Sequence, residues 1–123
     1  MAKIIAIVNQ KGGVGKSTSC VNLTAALKER GKSVLLCDFD PQANATSGMG
    51  VDKTLSQGVY DVVINEVPAE KRIVSTRFGD VLPSNKALAG AGIEMIGLDR
   101  REFRLRDALE PVRDRYDFIF IDC

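Results

Sequence analysis

Gln10-Lys11-Gly12-Gly13-Val14-Gly15-Lys16-Ser17-Thr18, QKGGVGKST in one-letter code, is the stretch that decides the fold. Three glycines in four positions free the backbone to take positive φ and to approach a ligand closely, so successive N–H groups can converge on an anion. A helix starting at Ser17 adds the positive end of its dipole to the same spot. Lys16 is expected to reach β- and γ-phosphate oxygens, the Ser17 hydroxyl to ligate Mg²⁺, and Thr18 to steady the α-phosphate. The general phosphate-loop pattern G-x-x-x-x-G-K-[ST] puts Gln10 where its first glycine belongs, and Lys11 stands directly before the glycine pair. Chance would produce K-G-G-x-G-K-[ST] in a chain this long on the order of 10⁻⁵ of the time, which sets aside a merely flexible loop.

The loop hangs from Lys3 to Val8, an apolar run without alternation that predicts a strand covered on both faces. It is far short of the ~20 residues that span a bilayer, and no small-residue cleavage site follows, so no targeting or anchoring segment is expected. The chain has 123 residues, 45% hydrophobic and 27% charged, ordinary material for one soluble domain. Seventeen basic and sixteen acidic residues leave a net charge of +1, so no overall field recruits nucleic acid or anionic lipid. Histidine is absent, which removes Ser-His-Asp and Cys-His nucleophile schemes and the HExxH zinc site. Cys20, Cys37 and Cys123 are widely spaced and odd in number, and they read as buried free thiols in a reducing compartment.

After the loop a helix is expected from Ser17 to about Arg30, with Cys20, Leu23, Ala26 and Leu27 on its apolar stripe and Gly31 as the residue just past its end. Val34 to Cys37 is a second continuous apolar run, followed by Asp38-Phe39-Asp40-Pro41. Strand, helix and strand make a βαβ unit with parallel strands, whose ligands bind beyond the carboxyl ends of the strands. Asp38 and Asp40 are expected to point to opposite sides of that strand end. Asp40, further out and held by Pro41, is assigned to the γ-phosphate, where orienting the attacking water is the task. For Asp38, functional and structural roles stay open. Gln42 to Gly50 is polar and glycine-bearing, which predicts a mobile switch-like loop.

Leu55 to Glu66 carries Leu55, Val59, Val62 and Val63 at near-helical spacing, and a short helix over Glu70 to Thr76 is expected to feed a strand at Ile73-Val74. Val81-Leu82 before Pro83 predicts a further strand, and Leu88 to Ile96 a helix. Arg100 to Tyr116 is expected to be helical with Leu105, Leu109, Val112 and Tyr116 on one stripe and Pro111 kinking or dividing it. Arg100, Arg101, Arg104 and Arg106 alternate with acidic residues and read as a solvated face. Phe118 to Ile121 is a third apolar run. Asp122 at its end is placed to hold the Mg²⁺ shell opposite the Ser17 hydroxyl.

KGGVGKST after the first strand, DFDPQANATSGMG after the second, VLPSNKALAGAGIEM in the middle and YDFIFIDC at the end together resemble the ParA/Soj family of deviant Walker A ATPases. The resemblance implies a three-layer α/β P-loop fold with a mostly parallel sheet, of which residues 1–123 would form the N-terminal part of a single ATPase domain, ending after the Walker B strand. It implies ATP and Mg²⁺ as cofactors, with Lys11, Gly12, Gly13, Val14, Gly15, Lys16, Ser17 and Thr18 around the nucleotide and Ser17 and Asp122 at the metal. Lys11 resembles the signature lysine that reaches the partner subunit's nucleotide, Lys16 the phosphate-gripping lysine, Asp40 the residue required for hydrolysis, and Asp122 the Walker B aspartate. A cation supplied in trans resembles an arginine finger, a device worth ~10³–10⁵ in rate, and it would link nucleotide binding to dimer formation.

The family further implies an ATP-dependent homodimer that binds nonspecific DNA through parts beyond residue 123, a ParB-like stimulating partner, plasmid or chromosome segregation, and a cytoplasmic, nucleoid-associated location with no membrane attachment. A MinD-like division-site ATPase, and a metabolic relative such as an ATP-dependent amide-forming synthetase, are the alternatives. A sheet ending at this point is expected to leave an unpaired edge and to be poorly soluble or self-associating, and the 123 residues alone are expected to bind nucleotide weakly without turnover.

Overall fold

The computed structural model describes residues 3–7, 14–39, 44–51, 58–64, 67–84 and 101–122. Two apolar runs form the middle of its sheet. Strand β2 (Val34–Asp38) is buried at every position, and β5 (Phe118–Asp122) at all but its first. Covered on both faces, neither strand has a solvent side to alternate with, which is why their sequences read as unbroken hydrophobic stretches. With β1 (Lys3–Ile7), β3 (Val74–Thr76) and β4 (Gly79–Leu82) they make a five-stranded sheet in the order β1-β5-β2-β4-β3. All neighbours are parallel except β3 and β4, which pair antiparallel. The first βαβ crossover therefore skips a place, and β5 fills the gap between β1 and β2. Strand β1 is the terminal strand of this sheet, and Ile5 is 40% exposed, so the expected cover on both faces fails there.

One face carries helix α1 (Val14–Glu29) and the short α2 (Asn44–Gly48). Cys20, Val21, Ala45 and Met49 bury themselves there against Val34, Leu36, Val81 and Phe120. Helix α1 begins at Val14, three residues before the expected Ser17, so the end of the glycine loop already forms its first turn. Its inward face also differs from the predicted stripe. Thr24 is fully buried while Leu23 is 44% exposed and Ala26 is exposed. Thr24 tolerates burial because its hydroxyl donates to the Cys20 carbonyl at 2.8 Å. That satisfied polar residue rotates the contact face away from the one hydrophobicity alone selects.

Gly79, with φ of 136°, completes the seat of α1: a Cβ there would lie 2.9 Å from Thr24 Cγ2. At the far end of α1, Gly31 takes φ of 81°, as expected of the residue past a helix end. Its N–H donates to the Lys28 carbonyl at 2.9 Å and that of Lys32 to the Leu27 carbonyl at 3.0 Å, which closes the last turn.

The other face holds α3 (Val59–Ile64), α4 (Arg101–Leu109) and a 3₁₀ segment over Glu110–Arg115. Val59, Val62 and Val63 bury against Leu105, Leu109, Val112 and Tyr116 over Leu35, Cys37, Leu82, Ile119 and Ile121. Pro111 divides the helix as expected, since it has no N–H for the preceding turn. A single 3₁₀ turn, Ala69–Lys71, leads into β3. The helix expected over Leu88 to Ile96 lies outside the described residues. Among the described residues no helix is long and apolar enough to cross a membrane.

Candidate functional site

The carboxyl ends of β2 and β5 and the beginning of α1 meet at one edge of the sheet. Because β2 and β5 are parallel and in register, Asp38 stands directly beside Asp122. Residues alternate faces along a strand, so both carboxylates share the face of Leu36 and Phe120, the one α1 and α2 cover. Both are fully buried. Two neighbouring carboxylates out of water are unfavourable unless donors or a cation meet them. Their all-oxygen character, together with a hydroxyl at Ser17 in the first turns of α1, suits a hard divalent cation such as Mg²⁺.

Part of the compensation is visible at Asp38. Its Oδ2 accepts the Thr46 backbone N–H at 2.8 Å and the Thr46 hydroxyl at 2.6 Å, both buried. The Thr46 oxygen in turn accepts the Ser84 N–H at 2.9 Å. Further along the same edge, Phe39 donates its N–H to the Asp122 carbonyl and Val59 donates to the Pro83 carbonyl, each at 2.8 Å. These bonds explain α2. Where a mobile polar loop is expected, residues 44–48 form a helix, because Asp38 takes up an orphan N–H of its first turn and Ala45 and Met49 enter the core.

Two titratable groups in the core of the opposite face are held protonated. Burial, then the Asp38 charge beside it, pushes the Cys37 thiol well above its ordinary range, so it stays protonated. Burial, then a 2.8 Å hydrogen bond donated to Asp80, does the same for the Tyr116 hydroxyl. Both cysteines described, Cys20 and Cys37, are buried free thiols, as expected.

Of the expected site residues, Val14, Gly15, Lys16, Ser17 and Thr18 form the start of α1, where backbone N–H groups have no intrahelical acceptor. Their side chains, and the whole of Lys11, Gly12, Gly13 and Asp40, lie outside the described residues. Asp122 occupies the strand end assigned to it. Strand periodicity gives no ground for the expected divergence of Asp38 and Asp40, because positions two apart share a face, and β2 ends at Asp38 with Asp40 outside the described residues. Thr46 and Ser84 were not singled out by sequence. They are 38 positions apart, and no local pattern announces their contact.

A family model described as an AAA domain matches residues 2–123. The chain is similar to the sporulation initiation inhibitor protein Soj of Bacillus subtilis, 52% identical over 126 residues that cover 100% of this chain and 50% of that protein. Among solved structures it is similar to cobyrinic acid a,c-diamide synthase from Mycobacterium smegmatis with bound ADP and magnesium (TM-score 0.91, 38% identity, 100% of this chain and 51% of that one). It is also similar to a plasmid partition protein from Borrelia burgdorferi (TM-score 0.81, 32% identity, 99% and 56%). The chain spans about half the length of the curated relatives it matches.

Proposed function

The chain belongs to the ParA/Soj family of AAA-domain P-loop ATPases, and from that premise we propose that it binds ATP with Mg²⁺ and hydrolyses it to drive plasmid or chromosome partition. The observation that carries the proposal is the buried pair Asp38 and Asp122, side by side on the α1 face at the carboxyl edge. The backbone N–H groups of Gly12 to Ser17 hold the phosphates, and Lys16 neutralises the β- and γ-oxygens. Ser17 and Asp122 would hold Mg²⁺, which would supply charge stabilisation at the phosphates. Asp40 orients the attacking water, and Lys11 reaches the nucleotide of a second copy, so that ATP favours the dimer. The ATP-bound dimer binds nonspecific DNA, which places the protein on the nucleoid, and a ParB-like partner stimulates turnover.

The test is ATP-dependent retention of the full-length protein on nonspecific DNA at low salt, beside Lys16→Ala and Asp40→Ala. Lys16→Ala should abolish retention and Asp40→Ala should preserve it. Equal behaviour of all three proteins would count against the proposal. The likeness to a diamide synthase favours one second reading, an ATP-dependent amide-forming synthetase. Turnover that requires a carboxylic acid and a nitrogen donor, with no DNA retention, would select it.

A further inference from the structure

We propose that Thr46 is a positioning residue for ATP hydrolysis, acting through Asp38 and Ser84; the inference rests on the ATPase reading above. Asp38 closes β2, and Thr46 lies in the first turns of α2. In sequence, positions 40–43 lie between them, and among these is Asp40, to which the proposed function assigns the attacking water. The bonds from the Thr46 N–H and hydroxyl to one carboxylate oxygen therefore fasten both ends of that connection to the same place. A bond to a buried carboxylate is charge-assisted and holds geometry more firmly than a neutral one.

The same hydroxyl binds the segment after β4. Its hydrogen goes to Asp38 while its oxygen accepts from Ser84, so one side chain joins the ends of β2 and β4. Phe39 N–H on the Asp122 carbonyl adds the end of β5. Three strand ends and the start of α2 thus form one buried hydrogen-bonded unit around the carboxylate pair. A valine side chain at position 46 fills the same volume but can neither donate to Asp38 nor accept from Ser84, so that of this residue's two bonds to the carboxylate only the one from its backbone N–H remains. A serine can do both.

Hydrolysis depends on placing a water to within a fraction of an ångström, whereas phosphate binding is spread over many loop amides. Loosening the unit should therefore slow turnover and leave nucleotide affinity almost unchanged. In the full-length protein, Thr46→Val should lower kcat by roughly ten- to a hundredfold. Its Kd for a fluorescent ATP analogue with Mg²⁺ should stay within about twofold of the parent value. Thr46→Ser should restore kcat. Thr46→Ala, which also lacks the hydroxyl but adds no methyl to the site, should lower kcat as Thr46→Val does with affinity kept, and it serves if Thr46→Val does not fold.

Turnover unchanged in Thr46→Val, or loss of affinity in step with turnover, overturns the positioning role while the ATPase reading stands. Failure of Thr46→Ser to restore kcat overturns it as well. Absence of ATP turnover in the parent protein overturns the ATPase reading and the positioning role together.

Discussion

Replacing Gly79 with alanine should unseat α1, the helix whose first turn forms the end of the phosphate loop. Two penalties add at this position. The backbone has φ of 136°, a conformation that a residue with a Cβ adopts only under strain of about 1–3 kcal/mol. The new Cβ would also stand 2.9 Å from Thr24 Cγ2, inside contact distance, and such overpacking costs about 1–3 kcal/mol. Together they predict a loss of about 2–6 kcal/mol, a large share of the ~5–15 kcal/mol that holds an ordinary domain folded. The two parts separate in a double-mutant cycle. Thr24→Ser removes Cγ2 but keeps the hydroxyl that bonds Cys20, so it relieves the overlap and leaves the backbone strain. Urea midpoints at constant m-value should show Gly79→Ala costing about 1–2 kcal/mol less in the Thr24→Ser background. Equal losses in both backgrounds would refute a steric seat, and a loss below about 0.5 kcal/mol would refute both parts.

Three more outcomes follow from the same structure. Gly31→Ala, at φ of 81° with open space around it, should cost only about 1 kcal/mol in a thermal unfolding midpoint, because strain acts there without overlap. Cys20 and Cys37 should resist a thiol-alkylating reagent in the folded protein and react after unfolding, since both are buried and burial keeps the Cys37 thiol protonated; labelling of either in native buffer contradicts this. The backbone N–H of Ser33 holds the Asp117 carboxyl below its ordinary value of 3.8, with help from the Ser33 hydroxyl and Lys32. A depressed acid stabilises the fold above that ordinary value and loses its contribution as pH falls through the folded one. Asp117→Asn should therefore lower the unfolding midpoint at neutral pH and flatten its decline below about pH 4.

Much of this architecture is legible in local sequence because its causes are local. Unbroken apolar runs mark β2 and β5, the spacing of Leu105, Leu109, Val112 and Tyr116 marks the inner face over residues 101–116, and Pro111 marks where the α-helix gives way. Asp122 is legible for the same reason, as a carboxylate ending a buried strand. What sequence misses is decided by distant partners. The insertion of β5 between β1 and β2 depends on pairing between opposite ends of the chain. Helix α1 turns Thr24 inward and Leu23 outward because a hydroxyl bonded to its own backbone and a glycine on β4 make room for it. Helix α2 forms in a polar stretch of modest helix propensity because a carboxylate eight positions upstream satisfies its first turn.

The most direct test of the nucleotide site is a crystal structure of the full-length protein with Mg²⁺ and a non-hydrolysable ATP analogue. The expected result is a triphosphate wrapped by the backbone before α1, with the metal between the Ser17 hydroxyl and the Asp122 carboxylate. Phosphates bound at the opposite edge of the sheet, near Ser33 and Asp117, with no metal beside Asp122, would contradict it.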